Sequence, residues 1–525
     1  MPDFFCFSNW RLSGVWALLV MVLTGCAGLP SHQPVAPVHA IGASNANALG
    51  RAAASLDTAH DGFSRVRPLV QASFALDARL ELMRRAQSSL DVQTYQIGND
   101  KTGRLILREL RDAARRGVRV RLLLDDYYTK GIDPLLLDLS VEPNFEVRLF
   151  NPFANGREFS VTRWIDFFSD FGRLNHRMHN KLFIADGAMA IAGGRNLADE
   201  YFLRSDGANF IDFELLMAGP VVPQSALLFD RYWNSNVVYP LLRVAHTPHT
   251  PEQLRNDFEF ATSTRFAPLP DPTDDTDVLG DPPLGKQLDG GQMEWIRAEA
   301  LASADSPNKA LGGDPAEESI AQRFHAMFSM AREQVQIVSP YFIPGDDGMV
   351  RIRAARARNV NVSVVTNSLA DSDEPLVNIS YNRYRVELLQ LGVNLYEVST
   401  RQLRRDNRLR DLLKKARGRL HAKLALIDGE WVLLGSLNLD PRSERLNTEF
   451  GVRVRSFELS QVIRYAYQLD DAAGVYQVTL TPQGHIRWVG TGDVDNEVLD
   501  DEPDSSMLTR LQLLLFSWFV PTDQL

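Results

Sequence analysis

Two stretches decide the fold: "HNKLFIADGAMAIAGGRNL", His179–Leu197, and "HAKLALIDGEWVLLGSLNL", His421–Leu439. Each sets His, Lys, Asp, Gly and Asn at the same internal places, and every pair is separated by the same 242 positions. "HNKLFIAD" and "HAKLALID" read as strands that end at Asp-Gly, and the apolar run after each turn is a hairpin signal. Residues two apart on a strand share a face, so His179 and Lys181 are expected to project together, as are His421 and Lys423. The returning strands carry Gly193 or Gly435, then Asn196 or Asn438, back toward the His–Lys end. The small residues there, Gly193, Gly194, Gly435 and Ser436, are expected to leave room for a ligand to reach the backbone.

The repeat extends beyond the hairpins. "ARLELMRRAQSSL" has helical spacing, "DVQTYQI" alternates like a strand, "LILRELRDAARRG" is helical and "VRVRLLLDD" is again a strand. The order returns in "SIAQRFHAMFSMAREQ", "VQIVSPYF", "GMVRIRAARARN" and "VNVSVVTNS". Tyr95 and Tyr341 fall in matching places. Strand–helix–strand order predicts α/β units, so the chain reads as a duplicated α/β fold, and 525 residues are enough for two full cores.

Duplication without function preserves core residues rather than polar ones, so the repeated polar set marks a site. Lysines and asparagines supply donors suited to the oxygens of a phosphate. A neutral imidazole can attack phosphorus, and a second, protonated one on the far side can donate to the leaving alkoxide. Attack in line needs these groups on opposite sides of phosphorus. Two facing lobes meet that need, each contributing half of one site.

The HxKxxxxD pattern followed by GGxN or GSxN, twice in one chain, resembles the phospholipase D superfamily. The likeness runs from about Asp77 to Phe450 and includes "SLDVQTYQI", "VRVRLLLDD", "SPYFIPG" and "LNLDPRSERLNTE". "RLNHRMHNKLFIADGAMAIAGGRNLADEYF" is similar to bacterial cardiolipin synthases of the lipoprotein-like group. The resemblance implies two phospholipase D-like α-β-α sandwich domains about a pseudo-twofold axis, with the active site at their interface. It implies His179 as nucleophile and His421 as general acid, then base, with Lys181, Lys423, Asn196 and Asn438 on the phosphoryl oxygens. Glu449 resembles the acid that orients a motif histidine and sets its tautomer. The equivalent place after His179 is Gly207, so Asp212 is the expected substitute. Asp186 and Asp428 complete the catalytic motif and are expected to support the hairpins. No metal or other cofactor is implied.

The implied reaction is phosphatidyl transfer that makes cardiolipin from phosphatidylglycerol and a second phospholipid, phosphatidylethanolamine being another donor. Rival readings are hydrolysis of phospholipid or nucleic acid by the same histidines, and a non-catalytic lipid-binding envelope protein. A net charge of −10 argues against a general nucleic-acid binder, so the expected partners are phospholipids and a membrane surface.

The termini point to the envelope. An apolar run ending in "LTGC" suits a signal peptide over residues 1–25 and resembles a bacterial lipobox, with Cys26 as the lipidated residue of a periplasm-facing lipoprotein. Residues 26–60 read as a tether. The first domain is expected over 61–245, a Pro/Asp/Gly-rich connector over 246–315, the second domain over 316–480, and a tail with an amphipathic segment over 481–525. The basic run "RQLRRDNRLRDLLKKARGR", with Arg404, Arg405 and Arg408, is expected to engage anionic headgroups.

Overall fold

The computed structural model describes residues 29–31, 36–56, 62–154, 157, 160–291, 293–313, 319–405, 416–467, 474–491 and 497–505. The signal peptide, Cys26, Arg408 and the amphipathic segment lie outside these residues. No helix among the described residues is long and apolar enough to cross a membrane.

The first lobe contains β1 (Ser64–Leu69), β2 (Ser89–Thr94), β3 (Arg119–Asp125), β4 (Phe145–Phe150), β5 (Leu182–Ala185), β6 (Met189–Gly193), β7 (Ala208–Ile211), β8 (Glu214–Ala218) and β9 (Val238–Pro240). The second contains β10 (Ile296–Ala304), β11 (Gln334–Val338), β12 (Asn361–Asn367), β13 (Asn394–Val398), β14 (Arg417–Leu420), β15 (Leu424–Ile427), β16 (Trp431–Gly435), β17 (Phe450–Arg455), β18 (Val475–Leu480), β19 (Ile486–Gly490) and β20 (Val498–Leu499). In the first lobe β2, β3 and β4 are parallel, with β5, β6, β8 and β1 added antiparallel beyond β2. The second lobe repeats the order with β11, β12 and β13, then β15, β16, β17 and β10.

β1 and β10 are the two inner edges. They pair antiparallel, Arg65 opposite Arg297, and join both sheets into one. Helices Ala72–Arg85 and Lys101–Arg115 stand in the first lobe where Ile320–Met330 and Gly345–Ala357 stand in the second. Alternate residues of the parallel strands are apolar and enter the core of each lobe. Leu90, Val120, Leu122 and Leu149 are fully buried, as are Val335, Val362, Val364 and Leu395. One apolar cluster runs through both lobes at the junction, from Val66 and Leu182 to Leu424 and Val454.

Two expected boundaries differ. Residues 296–304, assigned to the connector, form β10: Ala298, Ala302 and Ala304 are buried between Arg297, Glu299 and their neighbours, so short alanines hid the alternation of a strand. The expected tail begins too early, because β19 and β20 extend the second sheet. The connector before β10 runs over the first lobe, and Asp305 and Lys309 after it bond to Glu449 and Ser443 of the second. Its helix Pro251–Ala261 has a Thr250/Gln253 capping box and meets Arg111 and Arg115 through Glu259.

Candidate active site

Each hairpin forms for the same local reason. Asp186 and Gly187 have φ of 52° and 60°, Asp428 and Gly429 of 53° and 67°, values that Asp and Gly tolerate better than other residues. The Asp186 carboxylate accepts from the backbone N–H groups of Gln87, Ser88 and Ser89 at 2.7–3.1 Å. Asp428 does the same for Arg332, Glu333 and Gln334. Both carboxylates thus fasten the start of the first parallel strand, at the end of the hairpin away from the histidines. Asp186 and Asp428 thus stand as turn and strand anchors, apart from the histidines and lysines of the motif.

At the opposite end the chain leaves the ladder. The regular pairing starts at Leu182 and Leu424, one residue past each lysine, and the three preceding residues run between the lobes. Here the twofold arrangement becomes chemical. The Met178–Thr448 bridge in one half matches the β14–β7 pairing of Leu420 with Ile211 in the other. His179 N–H donates to Thr448 O at 2.9 Å, and His421 N–H donates to Ile211 O at 2.8 Å. The next residue on each partner strand is the carboxylate. Glu449 therefore meets His179 Nδ1 at 3.1 Å, and Asp212 meets His421 Nδ1 at 2.6 Å. Each imidazole is oriented by an acid from the other lobe.

This exchange explains the small residues. A Cβ on Gly194 would lie 2.1 Å from Asp212 Oδ1, and one on Gly193 or Gly435 would strike the carbonyl of Phe213 or Phe450. Ser436, at the place of Gly194, donates its hydroxyl to Glu449. The room expected for a ligand is filled by the orienting acids and their strands.

Each lysine folds back on its own histidine. Lys181 Nζ donates to His179 O at 2.7 Å and Lys423 Nζ to His421 O at 2.6 Å, with Lys423 Nζ also 3.2 Å from His421 Nε2. Asn196 and Asn438 are buried beside them, each with an Oδ1 that lacks a partner. Asn196 Nδ2 lies 2.7 Å from Tyr201 Oη. Exchanging the amide's O and N lets Tyr201 donate to the oxygen and leaves the NH2 as a donor at the other position.

The electrostatics follow from burial. Burial, then Lys423, pulls the Lys181 ammonium down to about 7. Burial pulls Lys423 to about 8 against the opposing charge of Asp212. Burial and the two lysines hold His179 well below 6.5, while burial pushes its partner Glu449 up to about 7. His421 is lowered by burial and Lys423 but supported by Asp212. Asp212, although fully buried, stays below 3.8 because His421, Lys423 and Arg195 outweigh the burial. The two pairs are thus unequal. His179 is a neutral imidazole, and His421 carries the short bond to an ionised carboxylate.

Three supporting groups escaped the sequence reading. Asp125 Oδ2 accepts from Met178 N at 2.7 Å, and Asn367 Oδ1 accepts from Leu420 N at 2.8 Å, so each fixes the residue before a histidine. They are separated by the same 242 positions, the signal that would have found them. Tyr95 packs edge-on to His179 and Tyr201 edge-on to His421, ring centroids 5.1 Å apart in both cases. Tyr201 has no counterpart in the second copy, where Ser443 stands, so no repeat announced it.

Comparison with known proteins agrees with this geometry. The family model described as "Cardiolipin synthase, PLD-like domain" matches residues 80–233 and 324–468, one lobe each. The chain belongs to this family of phospholipase D-like enzymes. It is 36% identical over 480 residues to cardiolipin synthase C of Escherichia coli strain K12, covering 89% of this chain and 98% of the relative. Cardiolipin synthase of Geobacillus kaustophilus is 25% identical over 368 residues, 70% of this chain and 58% of the relative. A solved phosphatidylserine synthase of Haemophilus influenzae shares the fold at a TM-score of 0.53 and 13% identity, over 87% of this chain and 92% of that one. The two matched segments each contain one His–Lys pair, which makes the protein a two-lobed phosphatidyltransferase of the phospholipase D type.

Proposed function

We propose that the protein makes cardiolipin by transferring a phosphatidyl group from phosphatidylglycerol, or phosphatidylethanolamine, to the free hydroxyl of a second phosphatidylglycerol. The observation that carries this reading is the exchange of acids between lobes, which holds both Nδ1 atoms and leaves both Nε2 atoms for chemistry. With its proton on Nδ1 toward Glu449, His179 has its lone pair on Nε2. A phosphodiester anion placed between Lys181 and Lys423 favours the charged form of both lysines and of His421.

His179 Nε2 then bonds to phosphorus as the P–O bond to glycerol or ethanolamine breaks, and His421 Nε2–H protonates the departing alkoxide. In the second half, His421 accepts the proton of the incoming hydroxyl, whose oxygen bonds to phosphorus and releases His179 Nε2. Lys181, Lys423, Asn196 and Asn438 hold the phosphoryl oxygens as charge shifts among them. The net charge of −10 argues against a nucleic-acid substrate, and the likeness to cardiolipin synthases supports a lipid acceptor over water. The "LTGC" motif supports a bacterial lipoprotein, anchored at Cys26 and facing the periplasm.

The test is to incubate the purified protein with labelled phosphatidylglycerol in vesicles. Labelled cardiolipin with release of glycerol is expected. Phosphatidic acid as the sole lipid product would place water as the acceptor and overturn the transfer reading.

A further inference from the structure

The helix Ser160–Ser169 is folded inside out. Its inner face is polar: Arg163 is 7% exposed and donates to the carbonyls of Asp126 and Tyr127, and its guanidinium lies 4.2 Å over the Phe153 ring. Asp166, one turn on, is also buried. Its outer face carries Val161, Trp164, Ile165 and Phe168, between 55% and 70% exposed, at the i, i+3, i+4 and i+7 spacing of one helical stripe. A soluble surface helix has the reverse arrangement. Four adjacent large apolar side chains left in water mark a docking face.

The two bonds from Arg163 to backbone carbonyls and its packing on Phe153 hold the helix against rolling over to bury this stripe. The following segment is fastened too, through Arg173 to Asn151 and Pro152. The outer face is therefore a fixed feature of the fold.

Its position tells what covers it. Trp164 and Phe168 contact Phe167, whose ring lies 6.4 Å from Tyr127. Tyr127 contacts Tyr128, Tyr128 contacts Tyr95, and Tyr95 contacts His179, each at 5.1 Å between centroids. An unbroken wall of aromatic rings leads from the exposed stripe to the nucleophilic ring. Trp with Phe, Ile and Val on one face, and charge on the other, is the composition of a helix lying in a membrane interface.

We propose that this helix docks the protein on a phospholipid bilayer, with Trp164, Ile165 and Phe168 inserted among the acyl chains beside the mouth of the crevice. A lipid leaving the bilayer would then pass along the aromatic wall, its chains shielded and its phosphate directed to the lysine pair. The inference rests on the proposed lipid chemistry, and it places the membrane contact in a segment other than the basic run or the tail.

The test uses the full chain and the triple variant Trp164→Ser, Ile165→Ser, Phe168→Ser. All three side chains lie outside the core, and circular dichroism with a melting curve checks the fold. Sedimentation with phosphatidylglycerol–phosphatidylethanolamine vesicles is expected to show binding weakened by about tenfold or more for each large side chain lost. Quenching of tryptophan emission by brominated lipid is expected in the wild type and is expected to fall in Trp164→Phe. Turnover of a short-chain phosphatidylglycerol below its micelle concentration is expected to stay unchanged. Unchanged vesicle binding and quenching would overturn the proposal. So would equal loss of turnover on the monomeric lipid, which would make the helix part of the site's own structure. Concentration-dependent self-association abolished by the substitutions, with vesicle binding intact, would assign the stripe to a second copy of the chain and also overturn it. If the wild type turns over no lipid yet binds vesicles through Trp164, the docking inference stands and the proposed reaction fails.

Discussion

Lys181→Met is expected to stabilise the protein while destroying its activity. The ammonium is buried with Lys423 near it, and its affinity for a proton falls from an ordinary 10.5 to about 7. In the unfolded chain the same group keeps its ordinary value. The unfolded state therefore binds more protons between about pH 7 and 10.5, and stability rises with pH across that window. At about 1.4 kcal/mol per tenfold change in proton affinity, the cost to the folded state at pH 7 is on the order of 4 kcal/mol. Methionine keeps the length and packing of the chain and removes the charge. Loss of the 2.7 Å bond from Nζ to His179 O offsets about 1 kcal/mol of the gain. The net expectation is a variant more stable by roughly 2–3 kcal/mol at pH 7, with the difference shrinking as pH rises toward 10 and levelling off below about 7. Urea unfolding at pH 6.5, 8 and 9.5 measures it. Inorganic phosphate should stabilise the wild type more than the variant, because an anion between the lysines restores their charge. Transfer activity should fall by about 10²–10³ through loss of a donor to the developing charge. A variant less stable than wild type at pH 7, or a difference independent of pH, would refute the burial argument.

Other expectations follow from the same geometry. Asp212→Asn removes the charge that supports the His421 imidazolium; activity should fall by about 10²–10⁴, and the alkaline limb of its pH–rate profile should move to lower pH. Gly194→Ala should reproduce that loss without touching the motif, since the new methyl would lie 2.1 Å from Asp212 Oδ1; an unaffected rate would show that the acid is not held there. Asp186→Ala removes the acceptor of three backbone N–H groups and should cost about 2–3 kcal/mol in denaturant unfolding, while kcat of the folded fraction changes by no more than a few-fold. A loss of turnover with stability intact would return Asp186 to the catalytic set.

The site was legible where the chain repeats itself. His179, Lys181, Asn196 and their partners share one spacing, and identical polar spacing is preserved only under a shared task. The acids were legible in part. Glu449 and Asp212 were recognised as partners of histidines, but the exchange between lobes depends on β1 meeting β10 and on β14 pairing with β7. Contacts made across a symmetry axis leave no periodicity along the chain. Asp186 is repeated for a structural task, since a turn residue that anchors a neighbouring strand recurs as faithfully as one that meets substrate. Gly194 misled because a missing side chain signals close approach without saying by what. β10 was hidden by its alanines, and the helix Ser160–Ser169 by an inverted face. A burial reading expects polar outside and apolar inside, and here Arg163 is buried while Trp164 is exposed.

The central claim, two imidazoles with distinct tasks on one phosphorus, is tested most directly by a phosphodiester with a nitrophenol leaving group. Such a group departs without protonation, so His421→Ala should still form the phosphohistidine yet fail to resolve it. A burst of one nitrophenol per protein is expected, with the label found by mass spectrometry on the peptide containing His179, and no burst in His179→Ala. A burst that survives in His179→Ala, or a label on His421, would contradict the account.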